Sequence, residues 1–266
     1  MNPRRPTPQR PQRCSFDQAR KPPPFLHGCN FSRSGLNLLS RLPPYRRTAL
    51  DVAEHPAFWV FEEHAEEYDD WYRRTPGRLI FEMEAKALAE LIPSGIGVEV
   101  GVGTGVFAAR LGVPFGVDPA LRPLKIAVGR GVDAIRAVAE ALPIRDESLD
   151  YVLLTVTICY LDRPAEALRE IHRVLRHGGS IVLGFVPRDS PWGKVYVQRK
   201  RAGRRFYKEA YFYTLDEVKQ LLKKAGFKTE EILGTLAQKP NQVQKIEEPT
   251  HEITQKGFLC IKAVKT

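Results

Sequence analysis

Cysteine and long apolar runs are both scarce in this chain of 266 residues. The chain has four cysteines, none of them in CxxC spacing, so it lacks the dense disulfide framework of small secreted domains. Its longest uncharged apolar run, Tyr151 to Leu161, is too short to span a bilayer. Apolar residues at 43% and charged residues at 27% argue against a wholly disordered or fibrous chain. We therefore expect a globular, cytoplasmic protein with reduced thiols and no membrane partner.

Acidic residues are nearly absent from the first 50 positions. Residues 1–50 contain ten Lys or Arg, a single acid, Asp17, and nine of the 21 prolines. This composition is typical of an extended, disordered tail, and it leaves open a targeting segment, a nucleic-acid arm or a true translation start near Leu50. Residues 51–266 carry a net charge of only +1 and form the predicted folded domain. A nucleic-acid partner is therefore disfavoured for that domain.

Two helical patterns open the predicted domain. Apolar residues recur at spacings of three and four in the first, which predicts one helix: Phe58, Phe61, Ala65, Tyr68 and Tyr72. A second pattern runs from Ile80 to Leu91 and ends before Pro93. We interpret residues 57–93 as an N-terminal helical cap.

Strand and helix patterns then alternate along the chain. The strands are predicted at residues 96–102, 114–118, 132–138, 150–155, 180–186, 230–236 and 257–263. The helices are predicted at residues 106–111, 119–128, 164–176 and 214–225, the last opening with a capping box. Alternating βα units predict an α/β fold with a mostly parallel sheet of seven strands and helices on both faces. Only a loop joins the last two strands, so this pair should be antiparallel at the sheet edge.

A glycine-rich turn follows the first predicted strand. Gly101, Gly103 and Gly105 are spaced so that the backbone can approach a ligand closely. Dinucleotide-binding folds usually require a further glycine where this chain has Val106, which disfavours an NAD-dependent oxidoreductase.

Two acids stand at the carboxyl ends of the first two strands. Glu99 lies in an otherwise apolar strand, where a charge is costly without a partner such as a ligand ammonium. Asp118 ends the second strand, near the offset at which an acid typically receives ribose hydroxyls. The alternatives are a surface acid for Glu99 and a helix cap for Asp118. Together the two acids favour an amino-acid nucleoside as ligand.

Four ordered motifs resemble those of the class I S-adenosylmethionine-dependent methyltransferases. Residues 98–105 are similar to the first motif of that family, and residues 116–119 to the end of its second strand. Residues 139–150 are similar to its adenine-side loop, and residues 173–179 to the turn before its fifth strand. The resemblance spans residues 57–263 and implies a Rossmann-like methyltransferase fold, with S-adenosylmethionine as cofactor and no metal.

The resemblance also implies a role for each matching residue. Glu99 would hold the methionine amino group, Asp118 the ribose, and Ala139 with Glu140 would flank the adenine. The full set of implied cofactor residues is Glu99, Gly101, Val102, Gly103, Thr104, Gly105, Asp118, Pro119, Ala139, Glu140 and Thr155. Many relatives have Asp where this chain has Val138, so that adenine contact is missing.

The acceptor should lie beyond the fourth strand, at the carboxyl edge of the sheet. Tyr160 follows that strand and could orient the acceptor, take its proton or pack beneath the methionine. Tyr68 of the first helix is a second candidate for positioning the acceptor. Aromatic residues concentrate in that helix and in an insert at residues 187–213, which we interpret as a lid unless they only fill a core.

The leading hypothesis is transfer of a methyl group from S-adenosylmethionine to a small-molecule acceptor by in-line displacement. An RNA or protein methyltransferase assisted by the basic tail is one alternative. A protein that binds the nucleoside without catalysis is another.

Overall fold

The computed structural model describes residues 56–266, so the predicted tail at residues 1–50 lies outside the described residues. The first helical pattern forms two helices, α1 (Pro56–Glu63) and α2 (Ala65–Arg73), where the sequence predicted one. The helical conformation breaks at His64, with φ −123° and ψ 31°. Its N–H still donates to the Val60 carbonyl at 3.1 Å, and its carbonyl accepts from Tyr68 at 3.0 Å. The predicted apolar face therefore continues across the break.

The remaining elements follow the predicted alternation. The strands are β1 (Gly97–Val100), β2 (Phe115–Asp118), β3 (Asp133–Arg136), β4 (Leu149–Thr155), β5 (Leu175–Phe185), β6 (Phe227–Thr235) and β7 (Phe258–Lys265). The helices are α3 (Gly77–Leu91), α4 (Val106–Leu111), α5 (Leu121–Gly129), α6 (Pro164–Val174), α7 (Pro191–Arg201) and α8 (Leu215–Lys224). A short 3₁₀ turn, Ile158–Tyr160, follows β4.

The seven strands form one sheet in the order β3-β2-β1-β4-β5-β7-β6. Strands β1 to β5 pair in parallel, whereas β7 pairs antiparallel with both β5 and β6. The predicted sheet and its antiparallel pair are therefore confirmed, with β7 inserted inside β6. The strand order reverses between β1 and β4, and open α/β sheets bind ligands at such a point, beyond the carboxyl ends of the strands.

Helices cover both faces of the sheet because successive strand residues point to opposite sides. Val152 and Leu154 of β4 pack in the cluster that includes Leu168 of α6 and Leu222 of α8. Tyr151 and Leu153 lie instead in the cluster that includes residues of α3, α4 and α5. Helix α3, part of the predicted cap, packs against β5, β6 and β7. The sequence-predicted cap is thus partly a layer of the domain core.

The boundary between α6 and β5 differs from the prediction. The sequence predicted a helix to Arg176 and a strand from Ser180, but α6 ends at Val174 and β5 begins at Leu175. Leu175 pairs with Leu149, and a bulge separates this pair from the next one, Tyr151 with Ser180. Because Leu175 pairs with Leu149 of another strand, β5 begins before Gly178 and Gly179, the residues at which a local signal would end the helix. The predicted capping box of α8 is confirmed, since Thr214 and Glu217 each accept the other's backbone N–H.

The insert at residues 187–213 contains α7 and packs beside the 3₁₀ turn. Ser190 caps α7 by accepting the Gly193 N–H at 2.9 Å. The Tyr211 N–H donates to the Cys159 carbonyl at 2.6 Å, and Arg205 forms an ion pair with Glu67 of α2. These contacts join the insert to α2 beside the carboxyl edge of the sheet. Within residues 56–266, no helix has the length and apolar character needed to cross a membrane.

Candidate active site

The glycine loop between β1 and α4 requires glycine for two different reasons. Gly101, Gly103 and Gly105 all have positive φ angles, of 74°, 51° and 74°. A Cβ on Gly101 would lie 2.3 Å from the Thr157 side chain, and one on Gly105 would lie 2.9 Å from Ala127. A Cβ on Gly103 would meet nothing within 4 Å, because it faces the open cleft. The close approach to a ligand predicted for all three glycines is therefore available at Gly103.

Glu99 lies at the floor of this cleft with 1% of its surface exposed. Its Oε2 atom has no hydrogen-bond partner among the described residues. Burial raises the pKa of the Glu99 carboxyl well above its ordinary value, and the backbone N–H of Ala108 only partly offsets this effect. A buried carboxyl oxygen without a partner is costly, and an ammonium group placed in the cleft would satisfy it. This arrangement fits the amino group of S-adenosylmethionine.

Asp118 accepts two backbone hydrogen bonds beside the cleft. Its Oδ1 accepts the Ala120 N–H at 2.9 Å and its Oδ2 accepts the Gly103 N–H at 2.9 Å, whereas the N-cap of α5 is Ala120 and has no side-chain cap bond. Each carboxylate oxygen retains capacity for a further hydrogen bond, such as one from a ribose hydroxyl. Burial raises the pKa of Asp118 to about 6, although both backbone N–H groups lower it. Asp118 thus shapes the glycine loop and also lines the cleft.

The cleft continues past Pro119 to Ala139 and Glu140, as the sequence predicts for the adenine side. The Glu140 Oε1 atom accepts the Arg163 N–H at 3.4 Å, so this side chain is partly engaged by the protein. Val138 packs against Phe58 and Ala120, which form a small apolar cluster. The position where many relatives have Asp is therefore part of an apolar wall. The sequence interpretation did not assign Phe58 to the cofactor site.

The other predicted cofactor residues lie around the glycine loop. Thr155 ends β4, lines the cleft and is buried, and its hydroxyl has no partner among the described residues. Val102 is buried and packs over Gly116, where a Cβ would lie 2.6 Å from it. The Thr104 carbonyl accepts Arg130 Nη1 at 2.6 Å. Arg130 is a supporting residue that the sequence interpretation missed.

A second cavity adjoins the cleft and shares one wall with it. The shared wall consists of Tyr68, Tyr72, Val156 and Tyr160. The cofactor cleft is narrow, with a volume of about 130 Å³, whereas the second cavity has a volume of about 780 Å³. The larger volume is in the range of pockets that bind small molecules. We call the second cavity the aromatic chamber, because Tyr196, Phe206, Tyr207, Phe212 and Tyr213 also line it.

The two predicted acceptor-positioning tyrosines both lie in the shared wall. The Tyr160 hydroxyl donates to the Phe206 carbonyl at 2.6 Å, and the hydroxyls of Tyr68 and Tyr72 are 2.7 Å apart. Burial raises the pKa of Tyr160 well above its ordinary value and raises that of Tyr68 in the same direction. Both phenols therefore keep their protons near neutral pH. Their geometry suits orientation of an acceptor better than removal of its proton.

Cys159 also lines the chamber but has the environment of a structural thiol. Its Sγ donates to the Val156 carbonyl at 3.3 Å, and burial raises its pKa to about 12. A nucleophilic cysteine needs a depressed pKa and a basic neighbour. Cys159 therefore fills space in the chamber wall and is not a nucleophile.

Glu84 is a chamber residue that the sequence interpretation missed. It lies on α3, lines the chamber and has 5% of its surface exposed. Burial raises its pKa to about 8, and no hydrogen bond or ion pair to it is present within residues 56–266. A signal existed in the sequence, because Glu84 interrupts the apolar face that Ile80 and Leu88 define at four-residue spacing.

Comparisons with known proteins agree with this geometry. Residues 98–183 match the model of a family described as a methyltransferase domain. An uncharacterized protein of Methanocaldococcus jannaschii is 38% identical over 206 residues, which are 77% of this chain and 98% of that protein. The malonyl-[acyl-carrier protein] O-methyltransferase of Geobacter sulfurreducens is 29% identical over 190 residues, which are 65% of this chain and 70% of that protein.

One solved structure is similar over most of the chain. It is a Thermotoga maritima protein described as an S-adenosylmethionine-dependent methyltransferase and possible histamine N-methyltransferase. It is 37% identical with a TM-score of 0.75, and the match covers 79% of this chain and 100% of that one. The similarity thus extends well beyond the residues that the family model matches.

Proposed function

The chain belongs to the class I S-adenosylmethionine-dependent methyltransferases, and we propose that it methylates a small molecule held in the aromatic chamber. The observation that carries this proposal is the wall shared by the two cavities. Tyr68, Tyr72, Val156 and Tyr160 face both the cofactor cleft and the chamber. A donor in the cleft and an acceptor in the chamber would meet along this wall.

The cofactor residues have distinct tasks in this proposal. Glu99 pairs with the amino group of the cofactor, and Asp118 accepts hydrogen bonds from the ribose. The orphaned Glu99 oxygen and the open space over Gly103 support these assignments. Val138 and Phe58 supply an apolar surface for the adenine, which their shared cluster supports.

S-adenosylmethionine supplies a methyl carbon that its sulfonium already activates, so the protein has mainly to align the acceptor and exclude water. The wall tyrosines orient the acceptor through protonated hydroxyls and apolar ring faces. The insert at residues 187–213 closes the chamber from above, supported by the hydrogen bond from Tyr160 to Phe206. Cys159 takes no covalent part because its thiol stays protonated.

A small molecule suits the chamber better than a macromolecule. The chamber volume of about 780 Å³ accommodates a compact acceptor. Residues 51–266 have a net charge of +1, and an RNA-binding domain normally presents a broad basic surface. The acceptors of its relatives differ, since one is a possible histamine N-methyltransferase and another a malonyl-[acyl-carrier protein] O-methyltransferase. The chemical class of the acceptor must therefore be inferred from the residues of this chain.

Transfer of a tritiated methyl group tests the proposal. The full chain is incubated with tritiated S-adenosylmethionine and, separately, with a small-molecule extract, total RNA and a protein extract. We expect label in the small-molecule product, lost in Glu99→Gln and retained in Glu90→Gln, an exposed site on α3. Label in RNA or protein would contradict the proposal. Absence of label in every fraction, with S-adenosylhomocysteine still bound, would indicate a nucleoside-binding protein without catalysis.

A further inference from the structure

The charged residues that line the aromatic chamber differ in their partners. Asp70 pairs with Arg73 and Arg74, and Glu67 pairs with Arg205. Arg199 is exposed and donates to the Tyr207 hydroxyl at 2.7 Å. These groups are compensated by neighbours, and Glu67, Arg74 and Arg199 are open to solvent.

Glu84 differs from these residues because it has neither a charged partner within residues 56–266 nor exposure to solvent. It is buried on α3, and within the described part of the chain no cation or hydrogen-bond donor contacts it. Burying an ionisable group without a partner costs stability, and such groups are retained where a ligand supplies the partner. The Glu84 carboxyl lines a chamber with room for that ligand.

The surroundings of Glu84 favour a positively charged partner. Tyr68, Tyr72 and Tyr196 line the same chamber as the Glu84 carboxyl. Tyrosine ring faces attract organic cations, and the chamber already shows this preference at its mouth. There the Arg199 guanidinium lies 5.5 Å from the Tyr196 ring centroid and 5.2 Å from that of Tyr207. A buried carboxyl among aromatic faces is the environment that a protein offers to an organic ammonium group.

We propose that Glu84 is the acceptor-binding carboxylate and that the acceptor is an organic cation, such as a protonated amine, whose charged group lies between Glu84 and the chamber tyrosines. This inference rests on the proposed function, because it assigns the chamber to the acceptor. Tyr68 and Tyr72 belong to the shared wall, so a cationic group held there would anchor the acceptor beside the cleft, with its uncharged nucleophilic atom free to receive the methyl group. A carboxylate-bearing acceptor is disfavoured because it brings no positive charge to pair with the Glu84 carboxylate.

The test uses probes of one shape and three charges. Phenethylamine, 2-phenylethanol and 3-phenylpropanoate carry the same ring on a short chain and are a cation, a neutral molecule and an anion near pH 7.5. Each is titrated calorimetrically into the full-length protein saturated with S-adenosylhomocysteine. We expect the cation to bind about 10-fold or more tightly than the other two. Equal binding of the three, tighter binding of the alcohol or the anion, or no binding of the cation would overturn the inference.

Two variants assign the preference to Glu84. Glu84→Gln keeps the shape of the side chain and should abolish the preference for phenethylamine, with unchanged affinity for S-adenosylhomocysteine. Glu82→Gln is the matched control on the same helix, since Glu82 forms a surface ion pair with Arg110 at 3.2 Å and does not line the chamber. A preference that persists in Glu84→Gln would overturn the assignment. If Glu84→Gln fails to fold, the affinities of the three probes for the unaltered protein still test the inference.

The inference and the proposed function fail in different ways. The fraction that receives the tritiated methyl group tests whether the acceptor is a small molecule. The charge preference tests what the chamber recognises, and it requires no turnover.

Discussion

Asp69 on α2 and Arg130 after α5 form an ion pair that joins the helices over the cleft to the glycine loop. Arg130 Nη2 lies 2.6 Å from Asp69 Oδ1, and Nη1 of the same guanidinium donates to the Thr104 carbonyl at 2.6 Å. Burial raises the pKa of the Asp69 carboxyl, but Arg130, Thr104 and Arg73 together outweigh this effect and lower the pKa below its ordinary value. One arginine thus connects α2 to the glycine loop.

Asp69→Asn should therefore weaken cofactor binding without removing any residue of the cleft. The amide cannot balance the Arg130 charge, so the hold on Thr104 loosens and the affinity for S-adenosylhomocysteine falls roughly 10-fold, equivalent to about 1.4 kcal/mol. Calorimetry measures the change. Asp70→Asn is the control, since within residues 56–266 its ion pairs are with Arg73 and Arg74 at the surface. Equal affinities in the two variants would show that the Asp69–Arg130 pair does not shape the loop.

Cofactor affinity should depend on pH through Asp118. Its pKa of about 6 means that the carboxyl is mainly protonated at pH 5 and ionised at pH 7.5. Ribose hydroxyls would donate to the ionised form, so ionisation of Asp118 should add a step near pH 6 to the rise of S-adenosylhomocysteine affinity with pH. Titrations from pH 5 to 7.5 measure this rise, and Asp118→Asn should lack the step near pH 6. A step of the same size in that variant would assign it to another group.

Glu84→Gln should stabilise the protein at high pH. The raised pKa of Glu84, about 8 against an ordinary 4.5, means that the folded state keeps a proton that the unfolded chain releases. The stability linked to that proton is full below pH 4.5 and is lost as the pH rises through 8. The variant should therefore unfold with a free energy higher by on the order of 1–4 kcal/mol at pH 8.5, and with little change at pH 4.5. Urea unfolding at the two pH values measures this difference, and a less stable variant at pH 8.5 would indicate a structural role.

Tyr160→Phe should affect the acceptor more than the cofactor. The substitution removes the hydrogen bond to the Phe206 carbonyl, which holds the insert over the chamber, at a cost of about 1 kcal/mol in stability. We expect a raised KM for the acceptor and unchanged affinity for S-adenosylhomocysteine. Tyr211→Phe provides a control in the same insert, since Tyr211 is 52% exposed. A large loss of cofactor affinity in Tyr160→Phe would instead place Tyr160 beneath the methionine.

The grouping of Glu99, the glycine loop and Asp118 around one cleft could be predicted because its signals are local in sequence. Glu99 precedes the glycine loop by two residues, and Asp118 ends the next strand, so a strand–turn–helix pattern places both at one sheet edge. The sheet could be predicted in the same way, from the spacing of the strands along the chain. The boundary at Leu175 could not be read locally, since it depends on pairing with Leu149 on another strand.

The supporting residues were harder to predict because their roles depend on tertiary contacts. Asp69 and Asp70 are neighbours on an acidic helix, and no local feature distinguishes the one that reaches Arg130. Glu84 carried a signal, an acid on an apolar helix face, but its meaning required the chamber that α2, α3 and the insert enclose. The break at His64 could not be predicted, because neither proline nor glycine lies at that position.

Titration with S-adenosylhomocysteine tests whether Glu99, the glycine loop and Asp118 hold S-adenosylmethionine. Burial raises the pKa of the Glu99 carboxyl well above its ordinary value, and pairing with the ligand ammonium should lower that pKa. Binding the ligand ammonium should therefore release protons, which calorimetry at pH 7.5 in phosphate and in Tris detects as different heats. We predict micromolar binding with proton release, weaker binding with little release in Glu99→Gln, and no binding of NADH. Binding of NADH, or equal affinity for S-adenosylhomocysteine in Glu99→Gln, would contradict the account.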